Sequence, residues 1–236
     1  MSEIILVRHG QASFGADSYD KLSDLGVEQV KRLAQHWTEL GERFDHIYCG
    51  SLLRQRETAN ELLGLVDGEP SAAIENPAFN EYDGDPLMRI YLRDHAMDEG
   101  YDTPLAWPIR EERLFQRIFE AACAKWISGE LEPAEEDTDF ERWTDFQSRV
   151  HGAIDEIMER HGGGARILIS TSGGVIAMAL QRVLLYPDQT VIATNWMVRN
   201  SSVSRVKYGQ GKVSLTQFNS LPHLERRGSQ HMITYR

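Results

Sequence analysis

A short apolar segment that ends in two basic residues and a glycine constrains this chain most. Residues 4–7 read Ile-Ile-Leu-Val, an uninterrupted aliphatic run of the length expected for a strand buried on both faces. The run stops at Arg8, His9 and Gly10. Burying a cation beside an imidazole is unfavourable unless both groups have partners. Since open α/β sheets bind ligands beyond the carboxyl ends of their strands, this segment predicts an anion site there, with Gly10 allowing a sharp turn and close approach of a ligand.

The rest of the chain alternates predicted strands and helices, which is the pattern of an α/β fold with a mostly parallel sheet. Ser23 is predicted to cap the first helix, which Gly41 ends, and Ser51 to cap the second. Two late strands joined around Gly209-Gln210-Gly211 predict a hairpin. The predicted strands cover residues 4–7, 45–50, 166–170, 201–208 and 213–218, and the predicted helices cover residues 24–40, 52–63, 87–97, 109–127, 146–158 and 175–184.

Residues from about 77 to 144 interrupt this alternation with turn-rich and helical segments. We predict a single three-layer α/β/α domain with a mostly parallel central sheet, in which residues 77–144 form an inserted helical cap region beside the site. The stretch 130–139 carries six acidic residues and is predicted to be a solvated surface loop.

The composition excludes several classes of partner. The net charge of −11 over 236 residues argues against nucleic acid or an anionic membrane as the main partner. An anionic substrate would therefore need a local basic pocket. The two cysteines, Cys49 and Cys123, imply no disulfide framework. Because the first residues lack a basic signal-peptide region and no apolar stretch has the length of a membrane span, we expect a cytoplasmic location.

The segment Leu6-Val7-Arg8-His9-Gly10-Gln11 resembles the amino-terminal signature of the histidine phosphatase superfamily, the phosphoglycerate-mutase-like proteins. The resemblance implies that His9 is phosphorylated during turnover, that Arg8 holds the phosphoryl oxygens and that Gln11 contacts phosphate or substrate. A nucleophilic histidine needs one unprotonated ring nitrogen. We expect the other nitrogen to donate to a carbonyl, and nearby guanidinium groups to disfavour the imidazolium.

A second block, Ser51-Leu-Leu-Arg54-Gln-Arg56-Glu-Thr-Ala59, is similar to a family motif at the end of the second strand. The resemblance implies that Arg54 is the second phosphate-binding arginine. Arginine suits this position because its planar fork holds two oxygens and stays charged when desolvated. Gln55 replaces the alanine usual in the family. We predict that Arg56 is a surface residue paired with a neighbouring acid.

A third block, Phe79-Asn-Glu81-Tyr-Asp83-Gly84, lies where the family carries its general acid. The resemblance implies that Glu81 has this role, with Asp83 as the alternative. A carboxyl group that protonates a leaving oxygen near neutral pH must itself hold a proton, which desolvation or a bound phosphate dianion would favour.

A fourth block, Thr171-Ser172-Gly173-Gly174, departs from the family, which carries a histidine at the position of Ser172. Gly173 and the amides after it can still bind an anion at a helix N-terminus. Since one charged transition-state donor is typically worth about 10²–10³ in rate, a histidine introduced at position 172 is expected to raise turnover about ten-fold or more. His95 or His151 are candidates to replace the missing imidazole.

These blocks predict a phosphomonoester hydrolase that acts through a phosphohistidine at His9, with Ser172 among its catalytic residues and no metal or other cofactor. The alternative is a phosphate-binding or regulatory module with little or no activity, and a phosphoglycerate-type mutase ranks third. Mutases carry an asparagine six residues after the nucleophile, where this chain has Gly15. The expected substrate is a phosphorylated small molecule or phosphoprotein, and the oligomeric state stays open.

Overall fold

The computed structural model describes residues 1–13, 20–68, 70–95, 109 and 111–235. Within them, six strands form one sheet of order β3-β2-β4-β1-β5-β6. The strands are β1 (Ser2–Arg8), β2 (His46–Cys49), β3 (Ile74–Glu75), β4 (Arg166–Thr171), β5 (Val203–Gly209) and β6 (Lys212–Ser220). The α-helices of the described residues are α1 (Asp24–Glu39), α2 (Leu53–Leu62), α3 (Gly84–His95), α4 (Glu112–Ser128), α5 (Trp143–Arg160), α6 (Gly173–Leu184) and α7 (Asp188–Met197). The predicted α/β class is confirmed.

The sheet is mixed, and its pairing brings three chain segments together at one edge. β1 pairs in parallel with β4, with Arg8 opposite Thr171. β1 also pairs antiparallel with β5, with Val7 opposite Val203. The remaining pairs are β2 with β4 and with β3, both parallel, and β5 with β6, which is antiparallel. The carboxyl ends of β1 and β4 therefore lie beside the amino end of β5.

β1 is buried along its length as far as Val7, as its aliphatic sequence predicts. Its side chains alternate between the two faces of the sheet. Ile5 and Val7 join a core cluster with Val30 and Leu33 of α1 and further residues of α2, β2 and β4. The burial of this strand fixes the position of the polar residues that follow it.

Gly10 permits a close contact between the segment after β1 and the first turn of α1. A Cβ on Gly10 would lie 2.3 Å from the carbonyl oxygen of Gly26, and a Cβ on Gly26 would lie 2.1 Å from the carbonyl oxygen of Gln11. Neither distance is compatible with a side chain. A glycine is thus required at position 10 so that the backbone of α1 can lie close to it. This requirement is separate from the predicted approach of a ligand.

One predicted helix cap is confirmed and the other is wrong. The Ser23 hydroxyl accepts a hydrogen bond from the amide of Gly26 at 3.0 Å, which caps α1. At α2 the N-cap residue is Leu52, with no side-chain cap bond of its own. Ser51 instead exchanges hydrogen bonds with the side chain of Asn80. The carboxylate of Asp20 accepts from the amide of Leu53 at 2.7 Å, a favourable place for a negative charge.

The hairpin between β5 and β6 is confirmed. Its two-residue turn is Gln210-Gly211, with φ values of 53° and 73°. Positive φ at both positions is the requirement of a type I′ turn, which matches the twist of the flanking strands. Helix α7 was not among the predicted elements.

Residues 82–148 form a compact unit, and residues 1–81 with 149–236 form another. Inside the smaller unit, the indole ring of Trp126 lies against the rings of Tyr82, Trp143 and Phe146. The assignment of residues 77–144 to a cap of the site stays a prediction. No helix in the described part of the chain is long and apolar enough to cross a membrane.

The acidic stretch 130–139 is a loop, but the prediction that it is simply solvated is wrong at Asp137. This side chain is buried and forms salt bridges with Arg89 and Arg93, at 3.0 Å and 2.7 Å. Leu131 is buried as well. The reason is that two arginines of α3 provide the partners that a buried carboxylate requires.

The predicted helix 87–97 corresponds to α3, and its positions 96 and 97 lie outside the described residues.

Candidate active site

The ring of His9 is held at both nitrogens. Its backbone N–H donates to the carbonyl of Thr171 at 2.8 Å, which continues the pairing of β1 with β4. Nδ1 lies 2.7 Å from the carbonyl oxygen of Gly10. Nε2 lies 3.2 Å from Nε of Arg54, which can only donate. These partners assign the proton to Nδ1 and leave the lone pair on Nε2, the tautomer expected of a nucleophile.

The surroundings of His9 also keep the ring neutral. Its side chain is buried, with 6% of the residue exposed. Burial lowers the pKa of His9 well below its ordinary value of 6.5, and the charges of Arg54 and Arg8 lower this pKa further. The hydrogen bond to Gly10 acts in the opposite direction but has the smallest influence on the pKa. At neutral pH the imidazole is therefore uncharged beside two cations, and its Nε2 lone pair accepts from Nε of Arg54.

The two arginines of the site come from different elements. Arg8 is the last residue of β1, and its guanidinium donates to the carbonyl of Val198. Arg54 lies in the first turn of α2, where its Nη1 also forms a salt bridge of 2.6 Å with Asp20. Asp20, which was not predicted as a site residue, orients the guanidinium of Arg54 while it binds the amide of Leu53.

Arg56 lies on the surface, as predicted. Its guanidinium is 3.5 Å from the carboxylate of Glu75, and about half of each side chain is exposed. Although Arg54 and Arg56 are two positions apart in α2, only Arg54 has a contact with His9. The difference follows from helix geometry, because residues i and i+2 face in different directions.

Glu81 lies at the amino end of α6, where the amide of Gly174 donates to its Oε2 at 2.9 Å. The anion-binding position predicted for this helix end is thus occupied by a carboxylate of the chain itself. Gly173 is closely packed, since a Cβ there would lie 2.4 Å from Oδ1 of Asn195. Asp83, the alternative to Glu81, accepts from the amide of Asp85 at 3.0 Å at the start of α3.

Ser172 is fully buried and hydrogen-bonded to Gln55. Nε2 of Gln55 donates to the Ser172 hydroxyl at 2.8 Å and to the carbonyl of Phe79 at 2.9 Å. The carbonyl of Phe79 requires a donor, which fixes the orientation of the amide group. Gln55 is likewise fully buried. Gln55 and Ser172, which the resemblance predicts to be departures from the family motifs, are therefore in direct contact.

The remaining candidates have partners of their own. Oε1 of Gln11 accepts from the hydroxyl of Ser23 at 3.1 Å, and its role in substrate binding stays a prediction. The ring of His95 lies 5.5 Å from that of Tyr91 inside the smaller unit. Burial lowers the pKa of His151, and the groups that act on it include the backbone of Met178 but no residue of the site. Position 15 lies outside the described residues.

The segment 199–202, which was not predicted to belong to the site, supports the backbone of His9. The amide of Ser201 and the side chain of Asn200 donate to the carbonyl of His9, at 3.2 Å and 3.3 Å. The carbonyl of Ser202 accepts from the amide of Arg8 at 3.1 Å. The feature of the sequence that could have indicated this role is the polar run at residues 199–202, directly before β5. An antiparallel β5 places that run beside the carboxyl end of β1.

Comparisons with known proteins identify the family of the chain. The family model of the histidine phosphatase superfamily, branch 1, matches residues 4–113 and 106–221. The chain is 31% identical over 121 residues to the protein named serine/threonine-protein phosphatase Pgam5, mitochondrial, of Drosophila grimshawi, a match that covers 50% of this chain but 41% of that protein. It is 24% identical over 234 residues to phosphoglycerate mutase-like protein 4 of Arabidopsis thaliana, which covers 96% of this chain and 89% of that protein.

Solved structures show the same fold. A phosphoglycerate mutase of Bacillus anthracis superposes with a TM-score of 0.64 at 17% identity, covering 94% of each chain. A mutant phosphoserine phosphatase of Entamoeba histolytica superposes with a TM-score of 0.62 at 19% identity, covering 95% of this chain and all of that one. With a family model matched along most of its length, and an arginine and a histidine at the end of its first strand, the chain belongs to the histidine phosphatase superfamily.

Proposed function

We propose that the chain is a phosphomonoester hydrolase that works through a phosphohistidine at His9. The observation that carries the proposal is the neutral His9 ring, with its lone pair on Nε2 and with Arg8 and Arg54 close enough to lower its pKa. A phosphoryl group needs a nucleophile in line and cations for its equatorial oxygens. Relatives named as phosphatases, Pgam5 and phosphoserine phosphatase, support a phosphorylated protein or small molecule as the substrate.

In the first step, Nε2 of His9 attacks phosphorus, and the bond from phosphorus to the ester oxygen breaks. The leaving oxygen takes a proton from the carboxyl group of Glu81. Arg54 must turn its Nε from the lone pair of His9 to a phosphoryl oxygen, so substrate binding itself uncovers the nucleophile. A phosphate dianion beside Glu81 favours the protonated carboxyl by charge repulsion.

In the second step, water attacks the phosphohistidine and the bond from nitrogen to phosphorus breaks. The carboxylate of Glu81, which has lost its proton in the first step, accepts a proton from the water. Inorganic phosphate leaves, and His9 returns to its neutral form with the proton still on Nδ1. Arg8 and Arg54 supply the positive charge in both steps, so this chemistry uses groups of the chain alone.

Rapid quenching of the protein after mixing with a labile phosphomonoester tests the proposal. A phosphohistidine should appear as acid-labile, base-stable phosphate on the protein before free phosphate reaches a steady rate. Phosphate release with no such label would exclude the covalent mechanism.

The contact between Ser172 and Gln55 favours a second candidate, a phosphate-binding or regulatory module. A serine hydroxyl held by a neutral amide supplies no charged donor. Such a module would bind phosphate or vanadate but would show neither label nor turnover.

A mutase remains the third candidate, since the chain resembles a phosphoglycerate mutase in structure. In a mutase the phosphoryl group passes from His9 to a second hydroxyl of a sugar phosphate or acid instead of to water. Incubation with phosphoglycerate isomers distinguishes the two reactions, because only the hydrolase releases inorganic phosphate in proportion to the substrate consumed.

Arg54→Ala should weaken the binding of phosphate or vanadate by about 1.5–3 kcal/mol, the range for a charge-assisted hydrogen bond. The guanidinium of Arg54 contacts His9, whereas that of Arg56 is paired with Glu75 at the surface. Arg56→Ala is the matched control from the same helix and should change binding by less than about 0.5 kcal/mol. Titration calorimetry measures both variants. The opposite ranking would remove Arg54 from the site.

The acid limb of kcat/KM should lie well below pH 6.5. The reactive form of His9 is neutral, and its pKa is lowered, so protonation inactivates the free enzyme only at pH values below the ordinary pKa of 6.5. Arg54→Ala removes one of the charges that lower this pKa, and its acid limb should move to higher pH. The pH profiles of the wild type and of Arg54→Ala, corrected for ionisation of the substrate, give the two acid limbs. A wild-type limb at or above pH 6.5 would contradict the neutral, buried His9.

A further inference from the structure

Three polar side chains that the proposed reaction does not use form a chain of hydrogen bonds beside the site. It begins at the backbone N–H of Gln11, which donates to Oε1 of Gln29 at 2.9 Å. Nε2 of Gln29 donates to Oγ1 of Thr234 at 2.9 Å, and the Thr234 hydroxyl donates to Oδ1 of Asn200 at 2.9 Å. Gln29 and Asn200 are fully buried and Thr234 is partly exposed, so the two amide groups of these bonds are shielded from solvent.

The other end of this chain is the carbonyl of His9, to which Nδ2 of Asn200 donates at 3.3 Å. This series of hydrogen bonds thus starts at the backbone of Gln11 and ends at the backbone of His9, on either side of Gly10. All four hydrogen bonds point in the same direction along this series. Each of the three side chains accepts one bond and donates the next, so that each bond polarises its neighbour. Reversing the amide of Asn200 would place its oxygen against the carbonyl oxygen of His9, which fixes the orientation of this side chain.

The backbone held in this way is the part that sets the state of the His9 ring. The carbonyl of Gly10 is the acceptor for Nδ1 of His9, at 2.7 Å. A shift of the Gly10 turn would move this acceptor away from Nδ1. The ring could then carry its proton on Nε2, the nitrogen that must attack phosphorus. Small displacements of a reacting group are costly for the rate of reaction.

We propose that Gln29, Asn200 and Thr234 are positioning residues that hold the Gly10 turn and thereby fix the orientation and tautomer of His9. The proposal rests on the proposed function of His9 as nucleophile. A purely structural role would differ in its consequences, because it would only fasten residues 229–235 to the rest of the chain.

The structure offers a way to separate the two roles. Residues 232–234 are also attached by contacts that do not involve the Thr234 hydroxyl. The amide of Asn200 donates to the carbonyl of Thr234 at 2.9 Å, and Nε2 of Gln29 donates to the carbonyl of Met232 at 2.7 Å. Thr234→Val keeps these bonds and the shape of the side chain, while it removes the link between Gln29 and Asn200.

Thr234→Val should lower kcat about ten-fold, the value of one neutral hydrogen bond that positions a reacting group, and should leave inhibition by inorganic phosphate within about two-fold. Thr234→Ser retains the hydroxyl and should have wild-type kcat. Thr216→Val is the matched control: Thr216 is an exposed residue of the edge strand β6, and its hydroxyl donates to the carbonyl of Arg205 on β5, so its loss should not change kcat.

The ¹⁵N chemical shifts of the His9 ring provide a readout that does not need turnover. Wild type, Thr234→Ser and Thr216→Val should show a single tautomer with the proton on Nδ1, and Thr234→Val should show a mixture. If the wild type has no turnover, the proposed function fails while this measurement still decides the positioning role. A Thr234→Val protein with wild-type ring shifts, whether its kcat and melting temperature fall or not, would overturn the proposal and leave the three side chains a structural role.

Discussion

His9→Ala is expected to abolish labelling of the protein by a phosphomonoester and to lower kcat by at least about 10³-fold, because it removes the nucleophile on which both proposed steps depend. The arginines that would bind the phosphoryl group remain in this variant, so phosphate and vanadate should still bind. Rapid-quench labelling and steady-state turnover are the two measurements. A variant that loses both activities and keeps binding is the signature of a missing nucleophile.

His151→Ala serves as the matched control for this experiment. Burial also lowers the pKa of His151, but this residue lies on α5 against the backbone of Met178. Its removal should leave labelling and turnover unchanged. Melting curves of both variants show whether the fold is intact. Label that persists in His9→Ala would refute the assignment of the nucleophile, and label lost in His151→Ala would give that residue an unassigned role.

The parts of the fold and site that the sequence predicts are those with a local cause. The aliphatic run before Arg8 is sufficient to predict β1, because it is too short for a typical helix and is rich in β-branched residues, as buried strands are. Ser23 and Gln210-Gly211 predict a helix start and a hairpin turn, since each depends on backbone geometry within a few residues. The proximity of His9 to Arg54 could be predicted from the resemblance to a family, but not from either segment alone.

The features that the sequence does not predict depend on contacts between distant segments. Ser51 has a residue type suited to a helix cap, yet Asn80 binds it and Asp20 takes its place. Helix α7 contains several β-branched residues, which have low helix propensity, so tertiary packing determines its structure. Gln55 is the clearest case, because the sequence predicts only that it departs from a motif, and the structure shows that its side chain binds Ser172.

That contact changes the result expected for a histidine at position 172. The sequence alone predicts that Ser172→His raises turnover, because it introduces a charged donor. In the structure Nε2 of Gln55 lies 2.8 Å from the Ser172 hydroxyl, and both residues are fully buried. An imidazole ring would occupy the space of the Gln55 amide. We therefore expect Ser172→His alone to lower stability by about 1–3 kcal/mol, as overpacking does, and to give no gain in kcat.

Removing the amide at the same time should reveal the gain. Gln55→Ala with Ser172→His makes room for the ring, and kcat should rise about ten-fold or more above that of Gln55→Ala alone. The effects of the two substitutions should be strongly non-additive, because the residues touch and the second substitution relieves the overpacking caused by the first. Turnover and melting temperature of all four proteins in this cycle measure the coupling.

The outcomes of this cycle distinguish the enzyme from the binding module. A gain in the double variant would mean that the pocket keeps a geometry in which an imidazole can stabilise phosphoryl transfer, and that Ser172 limits the rate of the natural chain. A single Ser172→His protein that is already faster would show that Gln55 can move aside, contrary to its two hydrogen bonds. If all four proteins bind phosphate but none turns over, the missing charge is not what limits the reaction. The buried pair of Gln55 and Ser172 would then belong to a site that has kept phosphate binding without catalysis.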